Sequence, residues 1–180
     1  MIFNESPLAG AYVIGMTHLA DERGFFARTF AVDEFAARGL RPAITQCSVS
    51  FNAKKATLRG LHYQAAPHAE DKIVRCTAGA IFDVIVDLRT ESPTHRQWFG
   101  TELSADNRLS LYIPQGFAHG FISLTDAAEV FYMISVAHAP AHARGIRWDD
   151  PSLKIRWPLA PAVIAARDAA YPLLDAGSAV

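Results

Sequence analysis

The sequence predicts a mainly β protein, a sandwich or barrel with a few short peripheral helices. Three observations predict it. Short strand-like runs recur at fairly even spacing, with turn signals between them. The run Ile81-Phe-Asp-Val-Ile-Val-Asp-Leu88 is apolar on both faces, as a strand between two layers should be. Helical patterns are few and short.

In chain order, the expected strands are Tyr12–Met16, Ile44–Phe51, Leu58–Tyr63, Ile73–Thr77, Ala80–Leu88, Trp98–Leu103, Leu109–Ile113, Gly120–Ser123 and Glu129–Val136. Each is rich in β-branched, aromatic or other apolar residues. The punctuation is Ala78-Gly79, Glu91-Ser-Pro93, Ser104-Ala-Asp-Asn107 and Pro114-Gln-Gly116, all turn-forming types. Val32–Arg38 reads as a short helix stopped at Gly39, and Ala162–Ala170 as a second one. The Ala-rich tail after Asp175 is expected to be loosely ordered.

At 180 residues the chain favours one domain, residues 1–180, and its 51% hydrophobic content can fill a sizeable core. A formal net charge of −1 gives no electrostatic case for nucleic acid or an anionic membrane as partner. No targeting segment is apparent, and no apolar run is long enough to span a membrane. Cys47 and Cys76 lack CxxC spacing and read as buried, reduced thiols of a cytoplasmic protein. Arg59, Lys72 and Arg75 are local cations that could serve a small anionic ligand.

The most informative segment is Thr57-Leu-Arg-Gly-Leu-His62-Tyr-Gln64. His62 lies among apolar neighbours, which suits either a satisfied core histidine or an acid/base group. Strict strand alternation puts Arg59 and His62 on opposite faces. Both reach one pocket only if a bulge at Gly60 re-aims the chain; otherwise Arg59 is a surface residue. Tyr132 shares its face with Val130 and Ile134, so its hydroxyl points into an apolar interior, for structure or for chemistry. His119, in a Gly/Phe-rich stretch after a proline turn, reads as an orienting residue. Asp83 and Asp87 are either edge residues or buried carboxylates needing a partner, for which Lys72, Arg75 or a histidine is available. Arg23, in Asp21-Glu-Arg-Gly-Phe-Phe26, either grips a phosphate beside an aromatic ring or sits in a solvated turn. No HxH pair occurs, and Pro140 argues against a helix bringing His138 and His142 together, so no metal is expected.

These segments resemble the dTDP-4-dehydrorhamnose 3,5-epimerase family. The motifs are Asp21–Phe26, Leu58–Gln64, Lys72–Cys76, Phe82–Arg89, Ser92-Pro93, Ile113–Phe121, Gly145–Pro151 and Arg167-Asp168, in order over most of the chain. The resemblance implies a cupin-like jelly roll, usually a homodimer, with no metal or organic cofactor. It implies a nucleotide-diphosphate 4-keto-6-deoxyhexose as substrate. It gives His62 the role of base, Asp168 that of its orienting carboxylate and Tyr132 that of the opposing acid. Lys72 matches the cation near the C4 oxygen, Arg23 and Arg59 match pyrophosphate contacts, and His119 and Asp83 match further pocket positions. Val136-Ala-His138-Ala-Pro140 stands where many members carry adjacent tyrosines, so His138 becomes the candidate to stack on the base. The alternatives are an epimerase of C3 or C5 alone, or a metal-dependent cupin enzyme.

Overall fold

The structure, a computed structural model, describes residues 1–40 and 43–174. The expectation for the tail after Asp175 falls outside the described residues. In chain order the elements are β1 (Ile2–Glu5), β2 (Tyr12–Gly15), β3 (Leu19–Asp21), β4 (Gly24–Phe26), α1 (Val32–Ala36), β5 (Gln46–Asn52), β6 (Thr57–Gln64) and β7 (Lys72–Ala78). They continue with β8 (Ala80–Asp87), β9 (Trp98–Ser104), β10 (Ser110–Ile113), β11 (Phe117–Ser123), β12 (Ala128–Ile134), β13 (Ala143–Gly145), β14 (Val163–Ile164) and α2 (Ala166–Ala169).

Two sheets face each other. The first runs β1-β2-β10-β7-β12-β5. The second runs β13-β6-β11-β8-β9, with β14 parallel to β6, and β3–β4 is a separate hairpin. Between the sheets lies the main core, including Val74, Cys76, Leu111 and Val130 from the first and Ile81, Ile85, Leu103 and Phe121 from the second. The outer face of each sheet is covered as well. Phe35 of α1 packs on Ile14, Ile73 and Tyr112, while Ile146 and Leu153 pack on Leu61, Val84 and Val86. Strand β8 therefore buries Ile81 and Ile85 on one side and Val84 and Val86 on the other, the two-layer position expected of it.

Several elements differ from expectation. Strands β1, β3, β4, β13 and β14 are additional to those expected. The helix expected over Ala162–Ala170 is instead β14 followed by the single turn of α2. Alanine propensity favours helix there, but pairing of Val163 and Ile164 with β6 takes the first residues into the sheet. Cys76 is buried as expected, whereas Cys47 is exposed. The reason is that β5 is an edge strand that turns its polar residues inward.

Candidate active site

The bulge at Gly60 decides what β6 can offer. In the pairing of β6 with β11, His62 opposes His119, and Arg59 opposes Phe121. Three steps on β6 thus match two on β11, so the strand carries one extra residue. Alternation is reset: Leu58 and Leu61 pack in the outer clusters, while Arg59 and His62 both line one cavity. Gly60 adopts φ +128°, and a Cβ there would come within 2.5 Å of the Gly120 Cα. Only glycine allows this conformation and this approach together.

The cavity, about 480 Å³, opens between the two sheets. From the second sheet come His62 and His119. From the first come Tyr132, Lys72 and the inward residues of β5, Gln46, Ser48 and Ser50. The rings of His119 and Tyr132 meet edge to face with centroids 6.1 Å apart. Groups able to take and give protons therefore occupy opposite walls.

His62 is held by Asp168, whose Oδ1 lies 2.9 Å from Nε2. The other carboxylate oxygen accepts the Gly60 N–H at 3.0 Å. With Nε2–H donating to Asp168, the Nδ1 lone pair is left for chemistry. Burial alone would raise the Asp168 carboxyl. The hydrogen bonds from His62 and Gly60, with the charges of His62 and Arg167, outweigh burial and hold it below the ordinary carboxylate range. Across the cavity, burial pushes the Tyr132 phenol far above its ordinary value; the negative charge of Asp83 adds to this, while Ser50, 3.5 Å from the hydroxyl, and Arg59 oppose it. The phenol therefore carries its proton at neutral pH.

A second pair sits deeper. His119 Nε2 lies 2.8 Å from Asp83 Oδ1, and both side chains are buried. The partner of Asp83 is thus a histidine rather than Lys72 or Arg75. Asp87 is likewise buried, and its partner is Arg89 at 2.7 Å. Burial would raise the Asp87 carboxyl, but hydrogen bonds from Arg89, Ser92 and Thr94 bring it down to about 2.

Cations gather on the cavity. Arg59 is fixed by Nε donating to Asn52 Oδ1 at 2.8 Å and Nη2 to the Phe51 carbonyl at 3.2 Å. Lys72 pairs with Glu70 at 2.8 Å. His138, exposed, lines the cavity with its backbone N–H 3.4 Å from Gln46 Oε1. His142 lies on a 3-10 turn, Pro140–His142, that follows it.

Two of the cations lie outside this cavity. Arg23 lies at the tip of the β3–β4 hairpin, 82% exposed and paired with Asp21 at 2.5 Å; it does not line this chain's cavity. Arg75 is three residues from Lys72 on a regular strand, so it points to the opposite face, away from the cavity. Sequence reasoning missed Arg144, Arg167 and Tyr171, which line the cavity. It also missed the roles of Gln46, Ser48 and Ser50, although their period of two between Cys47, Val49 and Phe51 is a readable sign of a polar inward face.

A family model described as dTDP-4-dehydrorhamnose 3,5-epimerase matches residues 5–176. The chain belongs to that family. The dTDP-4-dehydrorhamnose 3,5-epimerase of Salmonella typhimurium is 40% identical over 177 residues, 97% of this chain and 96% of its own. The Bacillus anthracis 3,5-epimerase, solved with TDP and pyrophosphate bound, matches at a TM-score of 0.92 and 38% identity, covering 96% of this chain and 99% of that one. The 3,5-epimerase of Legionella pneumophila, in complex with dTDP-4-keto-L-rhamnose, matches at 0.88 and 36% identity, covering 96% and 92%. The two-sheet architecture is the cupin-like jelly roll of these 3,5-epimerases, and the chain is a carbohydrate epimerase. No helix among its described residues is long and apolar enough to cross a membrane.

Proposed function

We propose that residues 1–180 act as one domain that inverts C3 and C5 of a dTDP-4-keto-6-deoxyhexose, of the dTDP-4-dehydro-6-deoxyglucose to dTDP-4-dehydrorhamnose type. The observation that carries this reading is a carboxylate-held histidine and a protonated tyrosine on opposite walls of one cavity.

The C4 ketone acidifies the protons on both neighbouring carbons, because either resulting carbanion is stabilised as an enolate. His62 removes the proton through Nδ1, and Asp168 stabilises the imidazolium that forms. Lys72 and the buried His119 face the developing oxyanion, where fixed positive or hydrogen-bonding groups act most strongly. Tyr132 returns a proton from the opposite side, which inverts the centre. Asp83 holds His119. Arg59 takes the pyrophosphate, to which a planar guanidinium fork is suited. His138 stacks on the base at the cavity mouth. No step requires a metal or an organic cofactor.

The reading extends to a homodimer. Edge strand β5 exposes Val49 and Phe51, each 57% accessible, and the β3–β4 hairpin exposes Leu19, Phe25 and Phe26. Apolar surface of this kind on an unpaired edge favours association with a second copy. Arg23 belongs to the site in that case alone, with the hairpin delivering it to the partner's cavity. Light scattering tests this: a monomer at micromolar concentration overturns both statements. We place the enzyme in the cytoplasm, where its two unpaired cysteines remain reduced.

The test of activity is incubation with dTDP-4-keto-6-deoxyglucose in D2O, followed by NMR at C3 and C5. Deuterium at both carbons, abolished in His62→Ala, is expected. Deuterium at one carbon would make this a single-position epimerase. Full exchange in His62→Ala would remove His62 from the role of base.

A further inference from the structure

Gly145 and His62 are register partners on β13 and β6, so side chains at the two positions would stand side by side on the same face of the sheet. Glycine leaves the place beside His62 empty of its own side chain. The ring of Tyr171 fills it: a Cβ at position 145 would lie 2.3 Å from the Tyr171 Cε2, with Cζ and Cδ2 as its next neighbours. In that slot the ring meets His62 edge to face, centroids 5.7 Å apart and planes at 71°. Tyr171 follows α2, three residues after Asp168. One short segment therefore touches His62 twice. The carboxylate fixes the direction of Nε2, and the aromatic ring bounds the plane of the imidazole. The Arg167 guanidinium, 5.9 Å from the Tyr171 centroid and 3.6 Å from Asp168 Oδ1, ties both to the same turn.

A single hydrogen bond leaves an imidazole free to swing about the bond axis. His62 is about one-third exposed to the cavity, so packing on its open side is limited. A proton must leave each of two carbons, and each abstraction requires Nδ1 to be aimed at a different C–H bond. Small misplacements of a reacting group lower rate steeply.

We propose that Tyr171 is a positioning residue for the epimerisation: seated in the slot left by Gly145, its ring holds the His62 imidazole in the plane that abstraction requires. The proposal rests on His62 being the base. It assigns the work to the ring rather than to the hydroxyl, and it makes Gly145 part of the same device. Tyr171→Phe keeps the ring and keeps the activity. Tyr171→Ala frees the imidazole. Gly145→Ala drives the ring from its slot, and in a Tyr171→Ala background the same change meets no ring and does little further harm.

The experiment measures C3 and C5 solvent exchange and the KM for dTDP-4-keto-6-deoxyglucose in these variants and in His62→Ala. It also follows the His62 ring resonances by proton–carbon NMR, assigned by their loss in His62→Ala. Tyr171→Ala is expected to lower kcat by about 10- to 100-fold with KM little changed. It should shift the His62 resonances by removing the ring current; Tyr171→Phe should do neither. Tyr171→Leu, which fills the slot without an aromatic ring, serves if the alanine variant does not fold, and the same loss is expected of it. Wild-type kcat in both the alanine and leucine variants, or equal losses in the alanine and phenylalanine variants, would overturn the proposal while leaving His62 as base. Additive losses from Gly145→Ala and Tyr171→Ala would remove the slot from the argument. Retained exchange in His62→Ala would overturn the base assignment itself, and the proposal with it.

Discussion

The protein contains two histidine–carboxylate pairs that look nearly alike locally and differ in everything around them. His62–Asp168 has its Nε2–oxygen contact at 2.9 Å, and His119–Asp83 has it at 2.8 Å. The two histidines are even register partners on adjacent strands. Yet His62 is about one-third exposed to the cavity, while His119 is nearly enclosed. Asp168 uses both oxygens, accepting from His62 and from the Gly60 N–H. Asp83 uses one; among the described residues no hydrogen-bond donor reaches its buried Oδ2. The lesson is that the pair does not define the role. Access and the second oxygen separate them, and in the mechanism we propose one histidine exchanges protons while the other stays fixed and presents a constant face.

The most severe test exchanges the histidines for asparagine, which keeps a polar amide and discards the base. His62→Asn is expected to lower exchange at C3 and C5 by about 10³-fold, within the range of a lost general base. His119→Asn should cost about 10-fold, because an amide still donates hydrogen bonds. Solvent exchange in D2O measures both. Equal losses would mean that the buried pair also moves protons, and the contrast would collapse.

The carboxylates sharpen the same contrast. In Asp168→Asn the amide must point its NH2 at one of two donors, the Gly60 N–H or His62, so the dyad cannot be rebuilt. A loss of about 10²-fold in kcat is expected, the lower end of the general acid–base range, because the base remains while its orientation and tautomer are no longer fixed. In Asp83→Asn the amide oxygen can face His119 and the NH2 can take the place of Oδ2, where no donor is displaced. That change should cost less than about 10-fold. Steady-state kinetics on the two variants decides it. A larger loss for Asp83→Asn would show that its charge, rather than its hydrogen bond, matters.

Tyr132 provides a test by pH. Burial keeps its phenol protonated beyond the ordinary tyrosine value of 10.0. The difference in tyrosinate absorbance between wild type and Tyr132→Phe should therefore develop only above pH 10, and the donor should remain competent throughout the neutral range. In Tyr132→Phe, proton exchange should continue while inversion falls by about 10²-fold, since removal and return come from opposite walls. Normal inversion would leave Tyr132 as wall and nothing more.

How much of this contrast was legible in the sequence varies by element. The long strands were, because one or both faces are buried and the apolar period is strong. The bulge was legible as a conflict: Arg59 and His62 could share a pocket only if Gly60 broke alternation, and it does. Strands β1 and β3 bury almost nothing, so their period carries little amplitude, and they pass unread. The two-residue β14, Val163-Ile164, is β-branched, but two residues are too few to show a strand period, and β6 supplies the partners that make it a strand. Arg23 could be read as a phosphate ligand from its neighbours in sequence, but its position on a projecting hairpin depends on tertiary placement. Tyr171 was invisible for the same reason. Nothing in its local pattern announces the empty slot at Gly145, 26 residues earlier, that gives the ring its place beside His62.

The smallest expected effect is on acid stability, and it comes through Asp168. The folded state holds Asp168 below its ordinary value of 3.8, through the hydrogen bonds and charges that outweigh its burial. A carboxyl that binds its proton less readily in the folded chain than in the unfolded one stabilises the fold at all pH above the unfolded value. That contribution declines as pH falls below 3.8 and is gone once the folded group is protonated as well. Urea unfolding of wild type and Asp168→Asn should therefore differ most near neutrality, with wild type the more stable, and the gap should narrow as the pH is lowered through the acid range. A gap that is constant with pH would mean that the carboxylate stabilises by shape alone. The dyad would then hold His62 in place without holding its charge, and the claim that Asp168 stabilises the imidazolium during abstraction would lose its thermodynamic support.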